Sequence, residues 1–242
     1  WDPTTVKAGS KTRFEWICSN EHRWTAAVGI EQFVEQDANL ASSDFSEVSC
    51  IKTNFTRANL CEANFSTTDL TGANFSGADL RYADFSNANL TGANLDNVNL
   101  YRAILYKADL TDANLYKADL TDANLRYANT DKANLFGANL TGANLDSASL
   151  DNANLGTANL TSAKLTSANL YHGNLIGANL TRANLTRVNF LSADLTDADL
   201  TGVDSRAGLL NGGAMEIIFR FTQAEVGQVQ GRTIADDEAG VS

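Results

Sequence analysis

The chain has 242 residues, 43% of them hydrophobic and 19% charged, with a formal net charge of −11. That length holds one large domain or two small ones, and no run approaches the 18 apolar residues of a membrane-spanning helix. The acidic balance favours solubility and disfavours nonspecific binding to DNA or anionic lipid; it also suits an acidic surface that imitates DNA.

The front of the chain opens on Trp1, and Met215 is the one methionine, so an initiator processed or trimmed away, with a targeting segment before it, is one expectation. Residues 1–37 lie ahead of a long repeat and are read as a cap. Trp1, Asp2, Pro3, Gly9, Ser10, Trp16, Cys18, His22 and Trp24 resemble the opening half of a probable zinc-ribbon domain. That resemblance implies zinc ligands at Cys18 and His22. The closing Cys-Pro-x-Cys of the family is absent, and structural zinc takes four ligands. Cys50 falls on an inward repeat position and Cys61 on an outward one, so no metal or other cofactor is expected. The expectation is a metal-free β-hairpin packing its tryptophans over the first turn of the repeat. Three cysteines, Cys18, Cys50 and Cys61, do not make a disulfide framework.

From Leu40 to Leu200 every fifth residue is Leu or Phe, except Cys50 and Thr130. Two residues before each stands a small residue, usually Ala, with Val at 48, 98 and 188 and Thr at 53 and 68. One residue before stands Asn or Asp, with departures at Ser49, Ile104, Ser149 and Lys164. A helix turns about 100° per residue, so a period of five gives no apolar stripe, and a flat strand would put successive leucines on opposite faces. The backbone must turn by a fixed angle at each step, so that every leucine points at one axis.

Two patterns set four steps per turn. Phe45, Phe65 and Phe85 are 20 apart, as are Phe55 and Phe75, which places them on two opposite walls. Acidic residues in the Asn/Asp column are never 20 apart, as expected if stacked like charges repel. The Asn/Asp side chains are expected to satisfy corner backbone groups, and the Thr130 hydroxyl to bond to backbone.

The stretches "ANLTGANLDNVNL" and "ADLTDANLYKADL" resemble the pentapeptide-repeat family, whose motif is A-(D/N)-L-x-x. The resemblance covers residues 38–205. It implies an all-β fold, a right-handed, four-sided parallel β-helix of about eight coils with small terminal caps. It implies no single function: members include DNA-mimicking proteins that bind type II topoisomerases and thylakoid-lumen proteins.

Residues 206–242 form the second cap and a tail. Ile217, Ile218, Phe219 and Phe221 are apolar enough to cover the last coil or to dock a partner.

No catalytic constellation is present: the two histidines, His22 and His172, are far apart in sequence, and no P-loop, Rossmann, G-x-S-x-G or H-E-x-x-H pattern occurs. Partner recognition is therefore expected on the outer walls, where residues vary. All six tyrosines take the two outward positions, and five lie between 82 and 127: Tyr82, Tyr101, Tyr106, Tyr116 and Tyr127. Arg81, Arg102, Lys107, Lys117 and Arg126 are interleaved, and Tyr and Arg are enriched at interface hot spots. With a coil of 20, Tyr116, Phe136, Gly156 and Ile176 form one column, either an apolar patch or an aromatic ladder.

The sequence thus points to a non-enzymatic scaffold, an accessory subunit of a larger assembly. The alternatives are a topoisomerase-binding DNA mimic, or a zinc-ribbon nucleic-acid module on a solenoid spacer. Partners are expected to be proteins held by walls and terminal segments, with no direct nucleic acid contact and membrane association through partners alone. A plastid or thylakoid setting and a cytoplasmic one both fit.

Overall fold

The computed structural model describes residues 14–17, 23–26 and 37–204. Strand β1 (Phe14–Ile17) pairs antiparallel with β2 (Arg23–Ala26), with Trp16 opposite Trp24. Cys18, His22 and residues 206–242, including Ile217, Phe219 and Phe221, lie outside the described residues.

Residues 37–204 coil as the period demands. Each Asn/Asp-column residue forms a parallel bridge to the residue 20 further on, from Asn39 with Asn59 to Asn184 with Asp204. Four pentapeptides therefore close one turn, and about eight turns stack into a rod of roughly 40 Å at the inter-strand spacing. We number the walls by their Asn/Asp column: the first carries Asn39 and Asn59, the second Asp44 and Asn64, the third Ser49 and Asp69, the fourth Asn54 and Asn74. No residue in 37–204 is helical.

The corner is the unit that makes this possible. After each inward Leu, the chain turns through two residues and returns an N–H to the Leu carbonyl, as Ala63 does to Leu60 at 3.0 Å. The second of those two residues has positive φ at every corner, from Asp37 (φ 65°) to Gly202 (φ 68°). Positive φ at the third position is the mark of a type II turn, which glycine fits without cost. Most corners use another residue, including the β-branched Thr67 and Thr157, for which this region is strained.

Hydrogen bonding offsets that strain. Of the five N–H groups in a step, three reach adjacent coils: Leu60 to Asp79 at 2.8 Å, Glu62 to Arg81 at 2.8 Å, Asn59 to Ala38 at 2.8 Å. The fourth closes the turn. The fifth, on the first outward residue, donates to the Asn/Asp side chain two residues back, as Thr71 does to Asp69 at 3.1 Å. The column thus serves the corner backbone, as expected, and supplies the one acceptor the main chain lacks. Its amides also ladder between coils: Asn94, Asn114, Asn134, Asn154 and Asn174 each donate to the Asn 20 before, at 3.0–3.2 Å.

Two departures from the column are compensated from the preceding coil. After Ser149, the Asp151 N–H donates to Asp131, and after Lys164, the Thr166 N–H donates to Asp146. After Ser49 and Ile104, the Ile51 and Tyr106 N–H groups have no acceptor among the described residues.

Leu, Phe and Ala fill the interior, most at 0–1% exposure. Each buried Leu contributes about 1.5–3 kcal/mol gross. Phe45, Phe65 and Phe85 stack at 4.7 and 5.0 Å, and Phe55 on Phe75 at 4.9 Å, with edge-on contacts between the two columns. Thr130 is wholly buried, and its hydroxyl donates to the Ser149 carbonyl at 2.9 Å, the backbone bond expected of it. Every column Asp faces Asn, Ser or Ile on its neighbours, never Asp.

The compensation is testable. Asp131→Ala and Asp146→Ala each orphan a partly buried N–H and are expected to cost about 1–3 kcal/mol. Asp96→Ala, which removes only an exposed contact to Asn97, is expected to be near neutral. Urea midpoints of the three variants check this.

Candidate functional site

A core this uniform leaves chemical variety to the outside. The first outward residue of each step is half-exposed in most coils and the second is exposed. The Tyr/basic belt falls on three of the four corners rather than on one face. Tyr82 and Tyr101 meet edge to face at 5.6 Å on the corner after the first wall. Tyr106 and Tyr127 do the same at 5.8 Å on the corner after the second. Tyr116 stacks on Phe136 at 6.1 Å on the corner after the fourth.

Four of the belt tyrosines carry a cation over the ring. Arg102 lies 5.1 Å from the Tyr101 centroid, Lys107 5.3 Å from Tyr106, Lys117 5.0 Å from Tyr116 and Arg126 4.7 Å from Tyr127. The turn brings this about: adjacent corner residues splay outward together, so a Tyr beside a Lys or Arg meets its neighbour. Arg102 also approaches Asp122 at 3.5 Å, and Arg81 pairs with Asp79 at 2.7 Å. Lys107 and Arg126 have no carboxylate within 4.0 Å among the described residues.

The Tyr116–Phe136–Gly156–Ile176 column is a partial ladder. Phe136 stacks on Tyr116 and leans over Gly156, where a Cβ would meet its ring at 2.9 Å. Gly156 is buried beneath it, while Phe136 and Ile176 remain 38% and 42% exposed. Gly156 is thus the seat of Phe136, and Ile176 stands exposed one coil beyond it.

Ile104 is a surface residue that the tyrosine pattern does not single out. It sits on the second wall at 39% exposure, with Tyr82 and Tyr101 on the corner before it and Tyr106 and Tyr127 on the corner after. Its signal is present in the sequence: it is the one apolar residue in the Asn/Asp column.

Cys50 and Cys61 take the inward and outward positions expected of them. Burial, and then the Asp69 charge, push the Cys50 thiol up to about 12. Among the described residues there is no group of three or more metal-ligating side chains and no helix long and apolar enough to cross a membrane. At Asp79, hydrogen bonds from Arg81 hold the carboxyl below the usual carboxylate range; the Thr196 and Thr201 hydroxyls do the same for Asp194 and Asp199.

The repeat model "Pentapeptide repeats" matches in eight copies between residues 38 and 202. The chain belongs to the pentapeptide repeat family, and its solenoid is the family's right-handed quadrilateral β-helix. Among solved structures, it is similar to HetL, a pentapeptide repeat protein involved in heterocyst differentiation regulation from Nostoc sp. PCC 7120. The two are 33% identical over 76% of this chain and 90% of HetL, with a TM-score of 0.33. A pentapeptide repeat protein from the Arabidopsis thaliana thylakoid lumen is 28% identical over 43% of this chain and 69% of its own, with a TM-score of 0.33. Full-length QnrB1, a plasmid-mediated fluoroquinolone resistance protein, is 23% identical over 64% of this chain and 80% of its own, again with a TM-score of 0.33. No curated protein matches. The repeat, not overall superposition, carries the family membership.

The two cysteines and Asp79 each give a measurable outcome. In the native protein at pH 8, an alkylating reagent is expected to modify Cys61 and leave Cys50 untouched until the chain is unfolded, as peptide mapping would show. The Asp79 carboxyl is lowered on folding, so its contribution is present above about pH 4 and is lost as pH falls through its folded value. Asp79→Asn keeps an acceptor for the corner and is expected to reduce the acid sensitivity of the melting temperature.

Proposed function

We propose that this solenoid is a non-enzymatic scaffold that binds protein partners through its outer walls, as an accessory subunit of a larger assembly. The observation that supports this reading best is the segregation of chemistry. Inward positions repeat Leu, Phe and Ala with few exceptions, so they carry no information about a partner. Outward positions vary, and between residues 81 and 127 they gather tyrosines and cations in a chain whose formal net charge is −11. Tyr and Arg are the residues that anchor protein interfaces.

Crosslinking and co-purification from the native source test this directly, since a scaffold must retain a defined partner through stringent washing. The exposed Phe136 and Ile176 are one candidate grip. Phe136→Asp with Ile176→Asp is expected to abolish partner capture while circular dichroism stays β-type. Unchanged capture removes that column from the interface.

The acidic balance also favours a second reading, a DNA mimic that engages a type II topoisomerase. The cations along the second wall count against it, because they interrupt the negative surface such mimicry needs. A gyrase supercoiling assay separates the two: the scaffold reading expects the same activity with and without this protein, and inhibition or protection would favour the mimic.

A further inference from the structure

We propose that the second wall, centred on Ile104, is a docking site for an acidic segment of a partner protein. The inference rests on the scaffold reading and assigns it a place and a partner chemistry.

Four observations converge there. The first is a sacrifice of stability. Of the wall's column residues, Ile104 alone is apolar, and it leaves the Tyr106 N–H without the acceptor that Asn or Asp gives elsewhere on that wall. At Ser149 and Lys164 the same loss is repaired from the coil before; at Ile104 it is not. The other unrepaired departure, Ser49, is polar and lies in the first coil, whereas Ile104 lies in the middle of the rod. A local rule broken there without repair, by an exposed aliphatic side chain, marks a position kept for something other than folding.

The second is aromatic flanking. The Tyr82–Tyr101 pair borders Ile104 on one corner and the Tyr106–Tyr127 pair on the other. Tyr82 and Tyr127 are 45% and 42% exposed, so an apolar centre lies between two amphipathic edges.

The third is charge. Arg81, Arg102, Lys107 and Arg126 edge the same wall of an otherwise acidic rod. Arg81 and Arg102 already meet Asp79 and Asp122, and Asp84, one coil before Ile104, accepts from Ser86. Lys107 and Arg126 hold only their tyrosines, which leaves two pre-oriented cations for incoming carboxylates.

The fourth selects the partner class. A nucleic acid strand longer than the patch would lie against the acidic remainder of the rod, where each phosphate is repelled. A short acidic segment with an aliphatic side chain for Ile104 meets the cations and avoids that repulsion.

The test uses the full chain and a fluorescein-labelled peptide of repeating Glu-Glu-Leu-Gly, with anisotropy read at low and high salt. Lys107→Glu with Arg126→Glu is expected to weaken binding at least about tenfold, and raised salt to weaken the native protein in the same direction. Ile104→Asn restores the repeat and the missing acceptor. It is expected to weaken the peptide about three- to tenfold while the melting temperature stays equal or rises. Equal binding by all variants, no binding by the native protein, or tighter binding of a short DNA single strand overturns the proposal. Partner capture unaltered by Ile104→Asn overturns this site and leaves the scaffold reading standing; failure of the native chain to capture any partner overturns the scaffold reading itself.

Discussion

One hydrogen bond makes the rest of the architecture possible. A chain that turns at every fifth residue can close four of its five N–H groups with main-chain carbonyls, three of them across coils. The fifth points out of the corner, and only a short side-chain acceptor can reach it, most often from two residues back. Asn and Asp both have that reach, which is why either can occupy the column, provided that no Asp stacks on another Asp. Removing an acceptor is tolerated where a carboxylate of the adjacent coil takes over, as Asp131 and Asp146 do. The acceptor, rather than the residue, is what serves the corner, and the corners at Ile51 and Tyr106 form without one among the described residues.

Satisfying the corner fixes the interior. Once each step turns at its second outward residue, the Leu and Ala of every step face the axis, and stacking places like above like. The phenylalanines of the first coils stack at the strand spacing for that reason alone. Leu, Phe and Ala fill the axis of the described coils, so chemical variety falls to ridges and walls. There the fold sets two kinds of neighbour: residues adjacent in sequence share a corner, as Tyr101 and Arg102 do, and residues 19 to 21 apart meet across coils. Tyr82 meets Tyr101, and Tyr106 meets Tyr127, by that offset.

Much of the fold is legible because the inward residues are chemically alike. The period of five implies the turning backbone, and the 20-residue spacing of Phe45, Phe65 and Phe85 implies four walls. The left-handed corner conformation is not legible, because Lys, Arg, Asp, Ser, Tyr and Thr share no chemistry that announces positive φ. Glycines such as Gly72, Gly92 and Gly142, and asparagines such as Asn87, Asn97 and Asn152, hint at it from the same corner position. The surface is partly legible. Tyr101, Arg102 and Tyr106 stand out as a belt, yet a linear belt wraps three corners of a coil. Ile104 shows in the sequence as a departure from the column and not as the centre of a wall, since its tyrosine neighbours gather around it only after wrapping. Spacing places Phe136 in its column, but its seat on Gly156 depends on a ring orientation that spacing does not encode.

Amide hydrogen exchange, resolved residue by residue, reaches the corner hydrogen bond most directly. Slow exchange is expected at the amides of Tyr101, Thr111 and Thr121, each held by an Asn or Asp side chain, and distinctly faster exchange at Tyr106. Equal protection at all four, or free exchange at all of them, would contradict it.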